Sequence, residues 1–100
     1  MPAHTFNTRL TFINDPGHGW LRVLLTDIAA LGIETQITPY SYIEGQYAYL
    51  EEDLDAPCYL EALTAQGSPQ PEITDQYVSR FSRNKDCFTH DLAFWNHLRS

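Results

Sequence analysis

SYIEGQYAYLEEDLDAP, residues 41 to 57, decides how this chain folds. Aromatic and β-branched side chains on either side of Glu44-Gly45 read as a β-hairpin. If the loop is those two residues, Ile43 faces Gln46, Tyr42 faces Tyr47 and Tyr40 faces Tyr49. Tyr40, Tyr42, Tyr47 and Tyr49 then share one face, and Ser41, Ile43, Ala48 and Leu50 line the other. A bulged three-residue loop would split the tyrosines between the faces. Four carboxylates follow, Glu51, Glu52, Asp53 and Asp55. Asp55 reads as the N-cap of a helix with Pro57 in its first turn, and Gly67 with Pro69 closes it. Ala56, Tyr59, Leu60 and Leu63 form its apolar stripe. The positive end of the helix dipole accounts for Asp55 well and for the other three acids only in part.

Working outward, the chain before the hairpin repeats its logic. TFNTRLTFI (5 to 13) alternates as a strand with Phe6, Leu10 and Phe12 on one face. NDPGHG (14 to 19) is a turn, and WLRVLL (20 to 25) is a second strand antiparallel to the first. A short helix follows, with Thr26 as N-cap, Ile28 and Leu31 inward and Gly32 as its stop. After the SPQPE loop, ITDQYVSRFS (73 to 82) reads as a further strand. THDLAFWNHL (89 to 98) reads as a C-terminal helix capped by Thr89, with Leu92, Trp95 and Leu98 inward.

The expected fold is therefore α+β: a small antiparallel sheet from two hairpins, with two or three short helices packed on it, in the order β-β-α-β-β-α. One domain, residues 1–100, is expected from the length, with a loose N-terminus at 1–4, a core at 5–67 and a C-terminal segment at 68–100 whose docking the sequence leaves open.

Composition narrows the function classes. The 100 residues carry a net charge of −7, and no Lys or Arg lies between Arg22 and Arg80, a span of 57 residues with ten acids. Such a segment carries a negative potential, which disfavours direct nucleic-acid binding and suits a basic protein partner. Arg80, Arg83 and Lys85, interleaved with Tyr77, Phe81 and Phe88, form a basic-aromatic patch. Its natural role is to lie across the acidic hairpin and helix. No apolar run is long enough to span a bilayer, and MPAHTFNTRL lacks the layout of a secretory signal. A cytoplasmic protein with its two cysteines, Cys58 and Cys87, reduced is expected.

The chemistry-bearing positions are few. His18, flanked by glycines beside Asp15, is the one catalytic-looking turn, and no Ser or Cys is spaced to act as its nucleophile. The more natural reading is that DPGHG needs its glycines for the backbone alone. No histidine pair has zinc-ligand spacing, Cys87 with His90 lacks a second pair, and the acidic run lacks the calcium-loop pattern, so neither metal nor cofactor is expected. The candidate binding residues are Tyr40, Tyr42, Tyr47, Tyr49, Glu51, Glu52, Asp53 and Trp20, an acidic and tyrosine-rich docking surface. Two alternatives stand beside it. One is a small metal-dependent hydrolase or nuclease using His18 with Glu51 or Asp53; the other is an assembly protein that dimerises through the tyrosine face.

GHGWLRV (17 to 23), LGI (31 to 33), PYSY (39 to 42) and AYLEED (48 to 53) occur in this order and spacing. Together they resemble a family of small bacterial and bacteriophage-encoded proteins of unknown function, over roughly residues 9 to 63. The resemblance implies a small α+β protein of phage or prophage origin, in the host cytoplasm if phage-encoded. It implies no activity.

Overall fold

The computed structural model describes residues 4–99. The part of the expected N-terminal segment at 1–3 lies outside them. Alternation in the first strand and the Asp-Pro-Gly turn produce the first hairpin, β1 (Arg9–Asn14) and β2 (Gly19–Leu24), paired antiparallel from Thr11↔Arg22 to Asn14↔Gly19. Helix α1 (Leu25–Leu31) follows β2 without a break, and a 3₁₀ turn covers Glu34–Gln36. The second hairpin is β3 (Tyr42–Glu44) and β4 (Tyr47–Glu51), and it leads into α2 (Asp55–Ala65). The expected order β-β-α-β-β-α therefore holds, within an α+β fold.

The sheet is larger than two hairpins and it is mixed. β5 (Glu72–Tyr77) lies parallel to β1, from Arg9↔Glu72 to Asn14↔Tyr77. The short β6 (Asp86–Cys87) pairs antiparallel with β3. Helix α3 (Leu92–Arg99) ends the chain, and the strand order is β5-β1-β2-β4-β3-β6. The expected strand over 73–82 thus stops at Tyr77. From Val78 to Lys85 the chain leaves one edge of the sheet, crosses a face and re-enters at the opposite edge. This segment is called the strap below.

Period-two alternation sorts the side chains onto two faces. Leu10, Leu21, Val23, Ala48 and Leu50 face the three helices and join Ile28, Ile37, Tyr59, Leu63, Phe88 and Trp95 in the main core. Trp95 and Tyr59 are wholly buried there, so α3 belongs to the same core as residues 5–67. Ile13, Trp20 and Tyr49 face the other way and pack with Phe81 of the strap, with Tyr42, Tyr47 and Val78 around them.

Several local expectations are corrected. The hairpin closes through Gly45-Gln46, with Glu44↔Tyr47, Ile43↔Ala48 and Tyr42↔Tyr49. Gly45 supplies the left-handed φ of 62° that the turn needs. The register differs from the expected one by two residues, so parity survives and Tyr42, Tyr47 and Tyr49 still share a face, while Tyr40 lies outside the strand. Helix α1 begins at Leu25 rather than being capped by Thr26, and the Leu25 N–H is held by the Gln46 carbonyl at 2.9 Å. Gly32 stops it as expected, at φ 69°. In α3, Leu92 is 66% exposed rather than inward. There Asp91 caps the helix, accepting the Phe94 N–H at 3.2 Å, and Thr89 Oγ1 accepts from the Asp91 N–H instead.

Buried carboxylates tie these pieces together. Asp27 accepts from His4 Nε2 at 2.7 Å and from the Asn7 N–H at 3.1 Å, which anchors the chain from residue 4 onward. Burial, and then the negative charge of Asp27, push the Tyr59 hydroxyl pKa up, so it stays protonated. Glu34 is paired with Arg99 at 2.5 Å, and the same guanidinium donates to the Ala29 carbonyl near the end of α1. Burial raises the Glu34 pKa, but the hydrogen bonds from Arg99 and from its own backbone N–H outweigh it and leave the carboxyl below its ordinary range. Both cysteines are free thiols, and burial with the charges of Asp55 and Glu61 pushes the Cys58 thiol up.

Candidate binding cleft

The turn between β1 and β2 is built by Asp15. Its Oδ1 accepts from the Gly17 N–H at 3.0 Å and the His18 N–H at 2.8 Å, and its Oδ2 accepts from the Phe81 N–H of the strap at 3.3 Å. The Gly17 hydrogen bond, foremost among these, holds the carboxyl below its ordinary range despite some opposing desolvation. Asp15 is thus committed to turn and strap geometry.

The four-carboxylate run divides by role. Glu51 takes over the helix start: its carboxylate accepts from the backbone N–H groups of Asp53 at 3.0 Å, Leu54, and Asp55 at 3.1 Å. Asp55, expected as the N-cap, sits one step inside α2 and is 1% exposed. It accepts from Ser41 Oγ at 2.5 Å, Thr38 Oγ1 at 2.6 Å and the Thr38 N–H at 3.0 Å, locking the turn before β3 to α2. Two acids close together competed for the capping role, and the hydroxyls of half-buried Thr38 and buried Ser41 claimed the second. Glu52 and Asp53 are exposed.

These arrangements bring one group of candidates together. His18, Trp20, Tyr40, Tyr42, Glu51, Glu52 and Asp53 line a single cleft of about 230 Å³, with Gly19 and Arg83. The cross-strand pair Trp20↔Glu51 seats the indole at its floor, next to the acidic turn. Gly19 shapes the wall: a Cβ there would strike the Phe12 ring and come within 3.1 Å of Glu52 Oε2. Tyr40 stands at the rim, 73% exposed.

Tyr47 and Tyr49 are not in the cleft. The strap covers Tyr49 with Phe81, their ring centroids 5.5 Å apart, and Arg22 lies over the Tyr47 ring at 4.9 Å. The strap and Arg22 thus cover part of the tyrosine face expected as a dimer seam, leaving Tyr42 and Tyr47 half-buried. Phe81 stacks on Trp20 at 3.9 Å and an interplanar angle of 15°. Lys85 pairs with Glu44 at 3.3 Å and lies over Tyr49 and Phe81. The basic segment does lie across the hairpin, through its β3 and β4 side chains.

Arg83 is the cleft residue that candidate selection missed. It donates to His18 Nδ1 at 2.8 Å and lies over the Trp20 ring at 5.4 Å. Its signal was present in the basic-aromatic patch, which carried no information on where that patch docks. A guanidinium only donates, so His18 Nδ1 is the acceptor in this contact. Among the described residues, no three His, Cys, Asp or Glu side chains converge as metal ligands. His90, of the Cys87–His90 pair, is hydrogen-bonded through Nε2 to the Ile37 carbonyl at 2.6 Å.

The ten acids of the cation-free span do not form one face. Asp27, Glu34 and Asp55 are buried, Glu51 caps α2, and Glu44 is paired with Lys85. Glu61 lies on α2 and Glu72 with Asp75 on the edge strand β5, so the acidic surface that remains in the cleft is Glu52 and Asp53. Among the described residues, no helix is long and apolar enough to cross a membrane. No family model, no curated protein and no solved structure matches the chain.

Proposed function

We propose that this chain is a non-enzymatic binding protein whose cleft receives a cationic side chain of a basic protein partner. The observation that carries this reading is the convergence of six of the eight sequence-nominated binding residues on one cleft, with the exposed pair Glu52 and Asp53 beside Tyr40, Tyr42 and Trp20. Carboxylates next to aromatic rings attract a guanidinium or ammonium by charge and by the ring quadrupole together. Arg83, held on His18 and Trp20, supplies the opposite sign on the other wall. That polarity orients an incoming cation towards Glu52 and Asp53 and gives specificity more than raw affinity. The phage or prophage setting implied by the family resemblance fits a small protein acting on a host partner.

The enzyme reading has less support. His18 shares the cleft with Glu52 and Asp53, but its Nδ1 is engaged by Arg83 and the Glu51 carboxylate is spent on the helix start.

The test is a titration with a short Arg- and Lys-rich peptide at low ionic strength, followed by Trp20 fluorescence. Binding is expected to weaken about tenfold in the Glu52→Gln/Asp53→Asn double variant and to fall with added salt. A wild-type chain that ignores the basic peptide, or takes an acidic one equally well, overturns the reading.

A further inference from the structure

The two edges of the sheet differ. β6 is two residues long, whereas β5 runs six residues and every one of them is exposed. The Glu72 N–H donates to the Thr8 carbonyl and the Val78 N–H to the Asn14 carbonyl, both at 2.8 Å. In a parallel ladder alternate residues bond to the neighbour, so Thr74 and Gln76 also turn towards β1. The N–H and C=O groups of Ile73, Asp75 and Tyr77 therefore point away from the sheet, where no described strand lies. Their side chains fall on the helix side, in register with Leu10, Phe12 and Asn14, and beyond the cover of the helices. Ile73 is 42% and Tyr77 65% exposed. The carboxylate between them, Asp75, has no hydrogen bond or ion pair among the described residues.

We infer that the β5 edge accepts an added strand from another protein, an extended segment that places Lys or Arg against Asp75 and apolar side chains against Ile73 and Tyr77. Backbone bonds to an open edge supply affinity, and alternate side chains supply choice. Charge decides the occupant. A second copy laid antiparallel, pairing Ile73 with Tyr77, sets Asp75 opposite Asp75, and like charges directly opposite are destabilising. A cationic strand turns the same residue into an attraction. This site is separate from the cleft, and it stands or falls independently of the function proposed there.

The experiment uses a terminally blocked, alternating Thr/Val peptide with Lys at its centre, and a twin with Glu in that place. With the Lys peptide, amide exchange at Ile73, Asp75 and Tyr77 is expected to slow, while Thr74 and Gln76 keep their existing protection. Asp75→Lys should weaken the Lys peptide about tenfold and favour the Glu twin. Unchanged core exchange in that variant shows that it is folded. Three results overturn the inference: no slowing at the three amides, equal binding of the twins, or slowing produced by raising the protein concentration alone, which makes a second copy the occupant.

Discussion

The two faces of the sheet are closed by different means. On one, three helices pack onto the sheet in an apolar layer in which Val23, Ile28, Leu50, Tyr59 and Trp95 are all fully buried. On the other, an irregular strap lays one ring, Phe81, onto Trp20 and Tyr49, and fixes its C-terminal end through Arg83 and Lys85. The helical side spreads its burial over many residues. The strap side concentrates it at one stack and leaves a cleft beside that stack. Regular elements close a face completely, whereas a strap closes it at a point and leaves room for a ligand.

The largest test of this contrast is Trp95→Ala. Removing a wholly buried indole from the helical face should cost about 4 kcal/mol of global stability, read by chemical denaturation. Phe81→Ala should cost roughly 2 kcal/mol, since the ring packs on one surface of the sheet rather than within a closed core. Its signature should be local: faster amide exchange in the strap and β6, altered Trp20 fluorescence, and unchanged protection in α1 and α2. If the two variants lose the same stability and open the same amides, the faces are one cooperative unit and the contrast fails.

The smallest effect concerns pH. Asp15 has its carboxyl below the ordinary value of 3.8, through the Gly17 hydrogen bond foremost. A group whose folded pKa is depressed contributes stability that is complete above its unfolded pKa and is lost as pH falls through the folded one. The strap, tied to Asp15 through the Phe81 N–H, should therefore loosen in acid below about pH 4. Asp15→Asn should make strap protection, taken relative to the intrinsic exchange rate, insensitive to pH in that window. An unaltered acid response in the variant would place the titration elsewhere.

How much of this was readable in the chain follows from the range of the interactions. Residues 9 to 65 form elements from local signals: alternation, Asp-Pro-Gly, and Gly32, Gly45 and Gly67 at their turns and stops, each with positive φ. Helix starts were harder, because Glu51 and Asp55 both had the chemistry to cap α2 and only the position of Ser41 and Thr38 decides between them. β5 had a strand signal, but its parallel pairing with β1 is set by packing and carries no local mark. The strap reads as far as Ser82 as a continuation of that strand, so its path over Trp20 was hidden even though its residues had been singled out. The cleft was half visible for the same reason. Trp20, Tyr40, Tyr42 and the acids were nominated one by one, and the turn that gathers them depends on buried bonds between distant segments.

The parallel pairing of β1 with β5 also orders events in time. Arg9 meets Glu72 across most of the chain, whereas both hairpins close within a few residues of sequence. Loop-closure entropy makes the distant pairing slow relative to the hairpins. A ribosome releasing this protein would thus expose a four-stranded sheet with both edges and one aromatic face open until the last third of the chain emerged. Trp20, which later forms the floor of the cleft, spends that interval uncovered, and the strap's arrival both finishes the sheet and withdraws that surface from competing contacts.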